Sequence, residues 1–258
     1  MLWTASGIKG YAILASDGVI GTVSDFLFDD DNWLVRWLVV DTGTWLSGRK
    51  VLLPPFVLGH PDPRNREFPV RLTMAQVKGS PDINSDQPVS RQMESTVYDY
   101  YGWRPYWGSG FYMSGFGYLG DGWEGSPPLG AMRREEELTA NQHNNDDPRL
   151  RSVHAVTGYH INALDGEIGH VKDMLVEDVD WSIHYLVVDT TNWWPGKKVL
   201  ISPASAHDIN WSDRLVNLDV DRRKVKSSPA YDETITVDRN YEKQFHEHYG
   251  DSRALGSS

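Results

Sequence analysis

Cysteine is absent from this sequence of 258 residues. Its absence excludes disulfide bonds, thiolate nucleophiles and zinc sites built on cysteine. No apolar run approaches the roughly 18 residues of a membrane-spanning helix, and the first residues show no basic segment followed by an apolar core. We therefore expect a cytoplasmic protein without stable membrane insertion.

Motifs of common enzymes and metal sites are absent as well. The sequence contains no GxSxG, no GxxxxGK[ST], no HExxH and no dinucleotide-binding fingerprint. Its nine histidines lack ligand spacing. His246 and His248, for example, would point about 200° apart on a helix and could not share one ion. We expect no catalytic residues, no metal and no cofactor, and hence a protein that is not an enzyme.

Basic charge is also scarce, because the formal net charge is −11 and both ends and the middle of the chain are acidic. No part of the sequence supplies the positive field that nucleic acids or anionic membrane surfaces attract. The sequence therefore favours a protein partner over nucleic acid, and it leaves a homo-oligomer open.

The sequence does contain an internal repeat. Of the 47 positions from Lys9 to Pro55, 24 are identical to the residue 148 positions later. The match returns at VKGSP (77–81) and VKSSP (225–229). Two copies are too few for a stacked solenoid, so each copy is expected to form a small closed fold.

Each copy reads as several short strands followed by one helix. In the first copy, an Asp17-Gly18 turn predicts a hairpin. The predicted strands are residues 11–15, 19–28, 36–42, 50–53 and 70–72. The helical period places apolar side chains at Met93, Val97 and Tyr100, and again at Tyr241, Phe245 and His248. Ser90 and Asp238 are suitable N-caps for these helices. The pattern is typical of a small antiparallel barrel or sandwich closed by a helix.

The segment between the copies has a different composition. Glycine alternates with aromatic residues in its first half, and its second half is polar and acidic. We interpret it as a linker with a mobile second half. Its rings either cover a surface of the protein or recruit partners. The predicted division is a first barrel (1–102), the linker (103–150), a second barrel (151–250) and a disordered tail (251–258).

The repeated pattern resembles a known family. The stretch GYAILASDGVIGTVSDFLFDDDNWLVRWLVVDT, then RKVLLPP, VKGSP and a tyrosine-rich helix is similar to the PRC-barrel. This is the small β-barrel of the photosynthetic reaction-centre H subunit and of the ribosome-maturation factor RimM. The resemblance implies two mainly β, antiparallel PRC-type barrels, and a non-catalytic module that docks on macromolecules or modulates an electron-transfer complex.

Four aspartates recur at equivalent places. Asp25 and Asp173 share a strand face with core positions, so each must find hydrogen-bond donors, and we expect backbone N–H groups to supply them. Asp41 and Asp189 end a core strand and suit an Asx-type turn. All four are interpreted as structural residues.

Acidic clusters occur near both hairpin tips, at residues 29–31 and 177–180. Calcium could use such oxygens, but the spacing and the glycine of an EF-hand loop are missing. We expect solvated hairpin tips.

Aromatic residues are the candidate binding surface. Trp37 and Tyr185 lie on the strand face opposite the core residue that follows each of them, so something must cover their rings. The other copy, related by a pseudo-twofold axis, the closing helix of the same copy, and a ligand or partner remain three possible covers. The candidate residues are Trp33, Trp37, Trp45, Trp181, Tyr185, Trp193 and Trp194.

Three functions fit these patterns. The first is a non-catalytic tandem interaction or scaffold protein that docks on another macromolecule through its aromatic faces. The second is an enzyme or small-ligand binder with a cleft between the barrels, lined by Trp45, Trp193, Trp194 and the nearby Asp pair. The third is a peripheral modulator of a membrane electron-transfer complex, which follows from the family resemblance alone.

Overall fold

The chain forms two compact units, and both are mainly β. The computed structural model describes residues 1–83, 89–107, 150–190, 197–232, 237 and 239–249. The first unit comprises Gly10–Asp31 and Arg36–Arg151. The second unit comprises Met1–Lys9, Asn32–Val35 and Ser152–Ser258. Each unit therefore combines segments that are far apart in the sequence.

Most elements are short, and the elements below are numbered along the chain. The strands are β1 (Leu2–Thr4), β2 (Ala12–Ala15), β3 (Gly18–Asp29), β4 (Leu34–Asp41), β5 (Lys50–Leu53), β6 (Glu67–Pro69), β7 (Leu150–Ser152), β8 (His160–Ala163), β9 (Gly166–Glu177), β10 (Ile183–Asp189), β11 (Lys198–Ile201), β12 (Ala206–Asn210), β13 (Leu215–Leu218) and β14 (Ala230–Tyr231). The helices are α1 (Ala5–Ile8), α2 (Met74–Lys78), α3 (Arg91–Tyr101), α4 (Val153–Val156), α5 (Arg222–Ser227) and α6 (Arg239–Tyr249).

The first unit is built on a sheet of order β5-β4-β3-β2-β6, with β7 added along β3. β2 and β3 form the hairpin predicted at Asp17-Gly18, and Ala15 pairs with Gly18 at its end. Residues 37–40 of β4 are all buried. Both faces of this strand are therefore covered, although alternate residues point to opposite faces.

The second unit is built on a sheet of order β12-β13-β8-β9-β10-β11-β14, with β1 added along β9. Its long strand β9 begins and ends 148 residues after β3, and its closing helix α6 begins and ends 148 residues after α3. The mainly β character predicted from the sequence is thus present in both units. Closure of either sheet into a barrel stays a prediction.

Most strand positions in the first copy were predicted closely, and Lys50–Leu53 was predicted to the residue. The fifth strand was placed wrongly at residues 70–72. The strand is β6, and Val70 makes only an isolated bridge to Leu58. α2 begins soon after, where the Thr73 side chain accepts the N–H of Gln76 in a capping box.

A glycine on each long strand permits a close approach of the backbone of the neighbouring strand. A Cβ on Gly21 would lie 2.1 Å from the carbonyl oxygen of Asp41, and a Cβ on Gly169 would lie 2.0 Å from that of Asp189. No side chain fits at such distances. The two glycines therefore allow the end of the next strand, and the residue after it, to lie close against each long strand.

None of the helices in the described part of the chain has the length and apolar character needed to cross a bilayer.

Candidate functional site

α3 covers the outer face of the sheet in the first unit. The Ser90 side chain accepts the N–H of Met93 at 3.1 Å, as the predicted N-cap requires. Val97 and Tyr98 are buried against Trp37 and its neighbours. Tyr100, expected on the buried face, is instead 42% exposed, because the helix turns Glu94 and Tyr98 inward in its place. Asp238, the other predicted N-cap, lies outside the described residues.

The inward-facing Glu94 is a carboxyl group in an apolar surrounding, only 1% exposed. Trp37 Nε1 donates a hydrogen bond to Glu94 Oε2 at 2.6 Å, and the hydroxyl of Tyr106 donates to the same oxygen at 3.2 Å. Arg91, one turn earlier on α3, lies 3.2 Å from Oε1. The carboxyl therefore joins β4, α3 and the chain that follows α3.

Burial raises the pKa of Glu94 to about 7, although Arg91, Trp37 and Tyr106 all favour the charged form. Removal from water disfavours the carboxylate more strongly than these partners stabilise it. The group therefore takes up or releases its proton near neutral pH. Because it is sealed from solvent, it has no access to a substrate, and the arrangement suits a structural charge centre better than acid–base catalysis.

The chain after α3 folds back over this centre. The guanidinium of Arg91 lies 4.1 Å from the ring centroid of Trp107, and that of Arg36 lies 4.2 Å from the ring of Tyr106. Such cation–π contacts attract each guanidinium to the aromatic ring that it faces. The start of the predicted linker, residues 103–107, is thus packed on the first unit, and residues 108–149 lie outside the described residues.

A row of four aromatic rings in contact with one another lies beside the buried centre, with its two ends exposed and its two middle rings half-buried. Phe56 meets Trp103 edge-on at 5.1 Å, Trp103 stacks on Tyr101 at 4.1 Å, and Tyr101 meets Tyr100 at 4.8 Å. Phe56 is 56% exposed. These four residues, Phe56, Tyr100, Tyr101 and Trp103, are called the ring row below.

The second copy carries different residues at most of these positions. Positions 204, 248 and 251 hold Ala, His and Asp where the ring row has Phe56, Tyr100 and Trp103. Tyr185 replaces Trp37, and its ring meets Phe245 of α6 at 4.9 Å. The ring row is therefore a feature of the first copy.

The structure shows which elements cover the rings of Trp37 and Tyr185. Trp37 is fully buried and meets Tyr98 of α3 at 4.9 Å, and Tyr185 is covered by α6 in the same manner. Of the three covers considered, the closing helix of the same copy is the one present at both rings.

The other candidate tryptophans that the structure describes lie in the connections between strands. Trp33 and Trp181 sit at hairpin tips with φ of 54° and 61°, and their carbonyls accept the N–H groups of Ile183 and Val35 within the second unit. Trp45 donates its indole N–H to the carbonyl of Ile20. The remaining two, Trp193 and Trp194, lie outside the described residues.

The four aspartates occupy strand positions next to donors. Asp173 is buried and accepts the N–H groups of Ser6 at 3.2 Å and Met174 at 2.8 Å. Asp25 accepts the N–H of Phe26, and Asp41 accepts the N–H of Gly43, each at 2.8 Å. Asp189 ends β10 opposite Lys198 of β11.

The prediction of solvated acidic tips was wrong for several residues. Asp29 is buried and lies 3.1 Å from Arg36. Asp30 lies 2.9 Å from Arg151, and Asp178 accepts the indole N–H of Trp3 at 3.1 Å. These partners lie far away in the sequence, which is why the local pattern gave no sign of them. Within the described residues, no group of three or more His, Cys, Asp or Glu side chains could hold a metal ion.

Comparison with known proteins gives one family match and one relative. Residues 4–59 match the PRC-barrel domain family model. An uncharacterized protein of Deinococcus radiodurans is 36% identical over 77 residues, which are 30% of this chain and 27% of that protein. The chain thus spans little more than a quarter of the length of the relative that it matches. The resemblance seen in the sequence is shown for residues 4–59, and its extension to the second copy stays a prediction.

Sequence reasoning missed Glu94, Arg91 and Tyr106. A glutamate inside a helix is expected to be solvated, and the helical period of apolar residues predicted Met93 and Tyr100 on the buried face. One signal was present. Trp37 on a covered strand face carries an N–H that needs an acceptor once it is buried.

Proposed function

We propose that this protein is a non-catalytic PRC-barrel-type interaction protein that docks on a partner protein through the ring row of its first unit. The observation that carries the proposal is a series of four rings in contact, with exposed Phe56 at one end, exposed Tyr100 at the other, and half-buried Tyr101 and Trp103 between them. Aromatic side chains supply much of the binding energy in protein interfaces.

The buried charge centre supports this reading. Arg91, Glu94 and Tyr106 fix α3 and the chain leading to Trp107, so Trp103 is held between two anchored segments. A surface held rigid before binding loses less conformational entropy on association. The acidic balance of the chain and the absence of cofactor motifs accord with a protein ligand.

Several finer features belong to the same proposal. In it, both sequence copies form PRC-type barrels closed by their C-terminal helices, and the copies are related by a pseudo-twofold axis. The cytoplasm is the proposed location. The enzyme or ligand-binder reading, and the modulator of an electron-transfer complex, stay predictions from the sequence.

The proposal is tested by affinity purification from the native cell with mass spectrometry, comparing matched variants. Phe56→Ser, alone and with Trp103→Ser, removes rings from the ring row. The control Leu164→Ser with Val179→Ser alters side chains of the second unit that are 73% and 74% exposed. We expect one protein to be recovered with wild type and control, and lost with the ring-row variants.

Recovery of that protein with the ring-row variants would contradict the proposal. Circular dichroism and thermal unfolding of each variant show whether the fold is retained. The enzyme reading gains support if the purified protein turns over substrates in a broad activity screen and recovers no partner. Membrane fractionation of the native protein tests the third reading.

A further inference from the structure

The long strand β9 has one edge that two different segments share. β10 pairs with β9 over residues 170–176 and thus takes one edge. β8 pairs with residues 166–170 and β1 with residues 175–177. Both overlap positions paired with β10, and a strand has only two edges, so β8 and β1 lie along the same opposite edge. β1 therefore covers the part that β8 leaves open, where unpaired backbone groups would otherwise remain.

Side chains add to this pairing in the second unit. Trp3 Nε1 donates to Asp178 at 3.1 Å. The backbone N–H of Ser6 donates to the buried Asp173 carboxylate at 3.2 Å, and the Ser6 hydroxyl donates to its other oxygen. Ala5 and Ile8 of α1 are buried. The segment 1–9 is thus bound through its backbone, two carboxylates and an apolar face.

The first unit has the same arrangement, but here a segment that begins the second copy is added to the long strand of the first copy. There β7 pairs with β3, and Arg151 Nε donates to Asp30 Oδ2 at 2.9 Å. Arg151 stands 148 positions after Trp3, and Asp178 stands 148 positions after Asp30. The same two positions of the repeat therefore join the added segment to the long strand in both units, although one pair uses an indole and the other a guanidinium.

We propose that this stretch of each long strand is a strand-addition site whose ligand is the leading segment of the other sequence copy. In the second unit, residues 1–9 act as a bound peptide, paired along residues 175–177 and selected by Asp173 and Asp178. In the first unit, Leu150 and Arg151 take this place. Because the contacts of this segment with β9, Asp173 and Asp178 come from residues 1–8, the site also accepts this segment from a second copy of the chain.

The test separates the segment from the rest of the folded, full-length protein. A protease site is inserted between Lys9 and Gly10, where both residues are exposed and no atom lies within 4 Å of a Cβ built on Gly10. After cutting, gel filtration shows whether the peptide stays with the protein. We expect it to co-elute, and a labelled synthetic peptide of residues 1–9 to replace it over time.

Matched variants identify the contacts. Trp3→Ala or Asp173→Asn removes a hydrogen bond, so each is expected to release the cut peptide about tenfold faster or more. Asp25→Asn, the equivalent of Asp173 in the first unit, is expected to leave the release rate unchanged. Thermal unfolding before cutting shows whether each variant is folded. If Asp173→Asn does not fold, the release rate is compared in Trp3→Ala alone. Loss of the peptide from cut wild type, or equal retention in Trp3→Ala, would overturn the proposal.

Discussion

Trp37 donates its indole N–H to Glu94 at 2.6 Å, and both side chains are sealed from solvent. The pair joins β4 to α3 through a carboxyl whose charge the surroundings disfavour. The stability of the first unit therefore depends on the protonation state of Glu94.

We predict that this dependence makes the protein less stable as pH rises. An unfolded Glu has its ordinary pKa near 4.5, and burial raises the pKa of Glu94 in the folded chain to about 7. The folded state thus holds the proton more tightly, so this contribution is complete below pH 4.5 and is lost as pH rises through 7. In Glu94→Gln, the decrease in the free energy of unfolding from pH 5 to pH 8 should shrink by more than about 1 kcal/mol.

Urea denaturation at both pH values measures this difference. Glu242→Gln is the matched control at the equivalent position of the second copy, where Tyr185 stands in place of Trp37. An unchanged pH dependence in Glu94→Gln would show that another group is responsible.

Removing the indole donor should cost more at high pH than at low pH. Trp37→Phe leaves the charged form of Glu94 without its shortest hydrogen bond, and we expect a loss of about 1 to 3 kcal/mol at pH 8. At pH 5 the carboxyl is protonated, and the loss should be smaller. Tyr185→Phe, which removes a hydroxyl from the equivalent ring, is the comparison, and equal costs of Trp37→Phe at both pH values would contradict the prediction.

The close approach of the neighbouring backbone to Gly21 predicts that a side chain at this position is not tolerated. In Gly21→Ala the new Cβ would meet the Asp41 carbonyl at 2.1 Å, so the backbone must shift, and we expect a loss of about 2 to 4 kcal/mol. Gly10→Ala tests backbone strain alone, because Gly10 has φ of +80° and open space around it. That change should cost only about 1 to 2 kcal/mol. Thermal unfolding of both variants compares the two costs.

The exposed Phe56 end of the ring row should contribute little to stability. Phe56 is more than half exposed and makes one edge-on contact with Trp103. Phe56→Ser is therefore expected to lower the free energy of unfolding by less than about 1 kcal/mol. A much larger loss in urea denaturation would mean that the ring supports the fold and is not reserved for a partner.

Local pattern was sufficient for the elements whose contacts are local. The turn at Asp17-Gly18, the strand Lys50–Leu53 and the cap at Ser90 all follow from neighbouring residues, and all are present. The fifth strand was displaced because β6 pairs in parallel with β2, far away in sequence.

The candidate site was harder to predict from the sequence for the same reason. Burial of Glu94 depends on β4 and on Tyr106, which lie on either side of α3 in the sequence. Asp30 and Asp178 looked solvated because their partners, Arg151 and Trp3, come from the other copy. Periodicity identifies which face of one element is apolar, but it does not show which distant segment will cover a polar group.

The added strand β1 has a consequence for synthesis on the ribosome. Trp3 and Asp178 are 175 positions apart, and chains grow at roughly 5 to 20 residues per second. Residues 1–9 must therefore wait roughly 9 to 35 seconds before their pairing partner in β9 is even made. During that interval the nascent chain exposes a leading segment with nothing to pair with, so the final arrangement of the second unit can form only late in translation or after release.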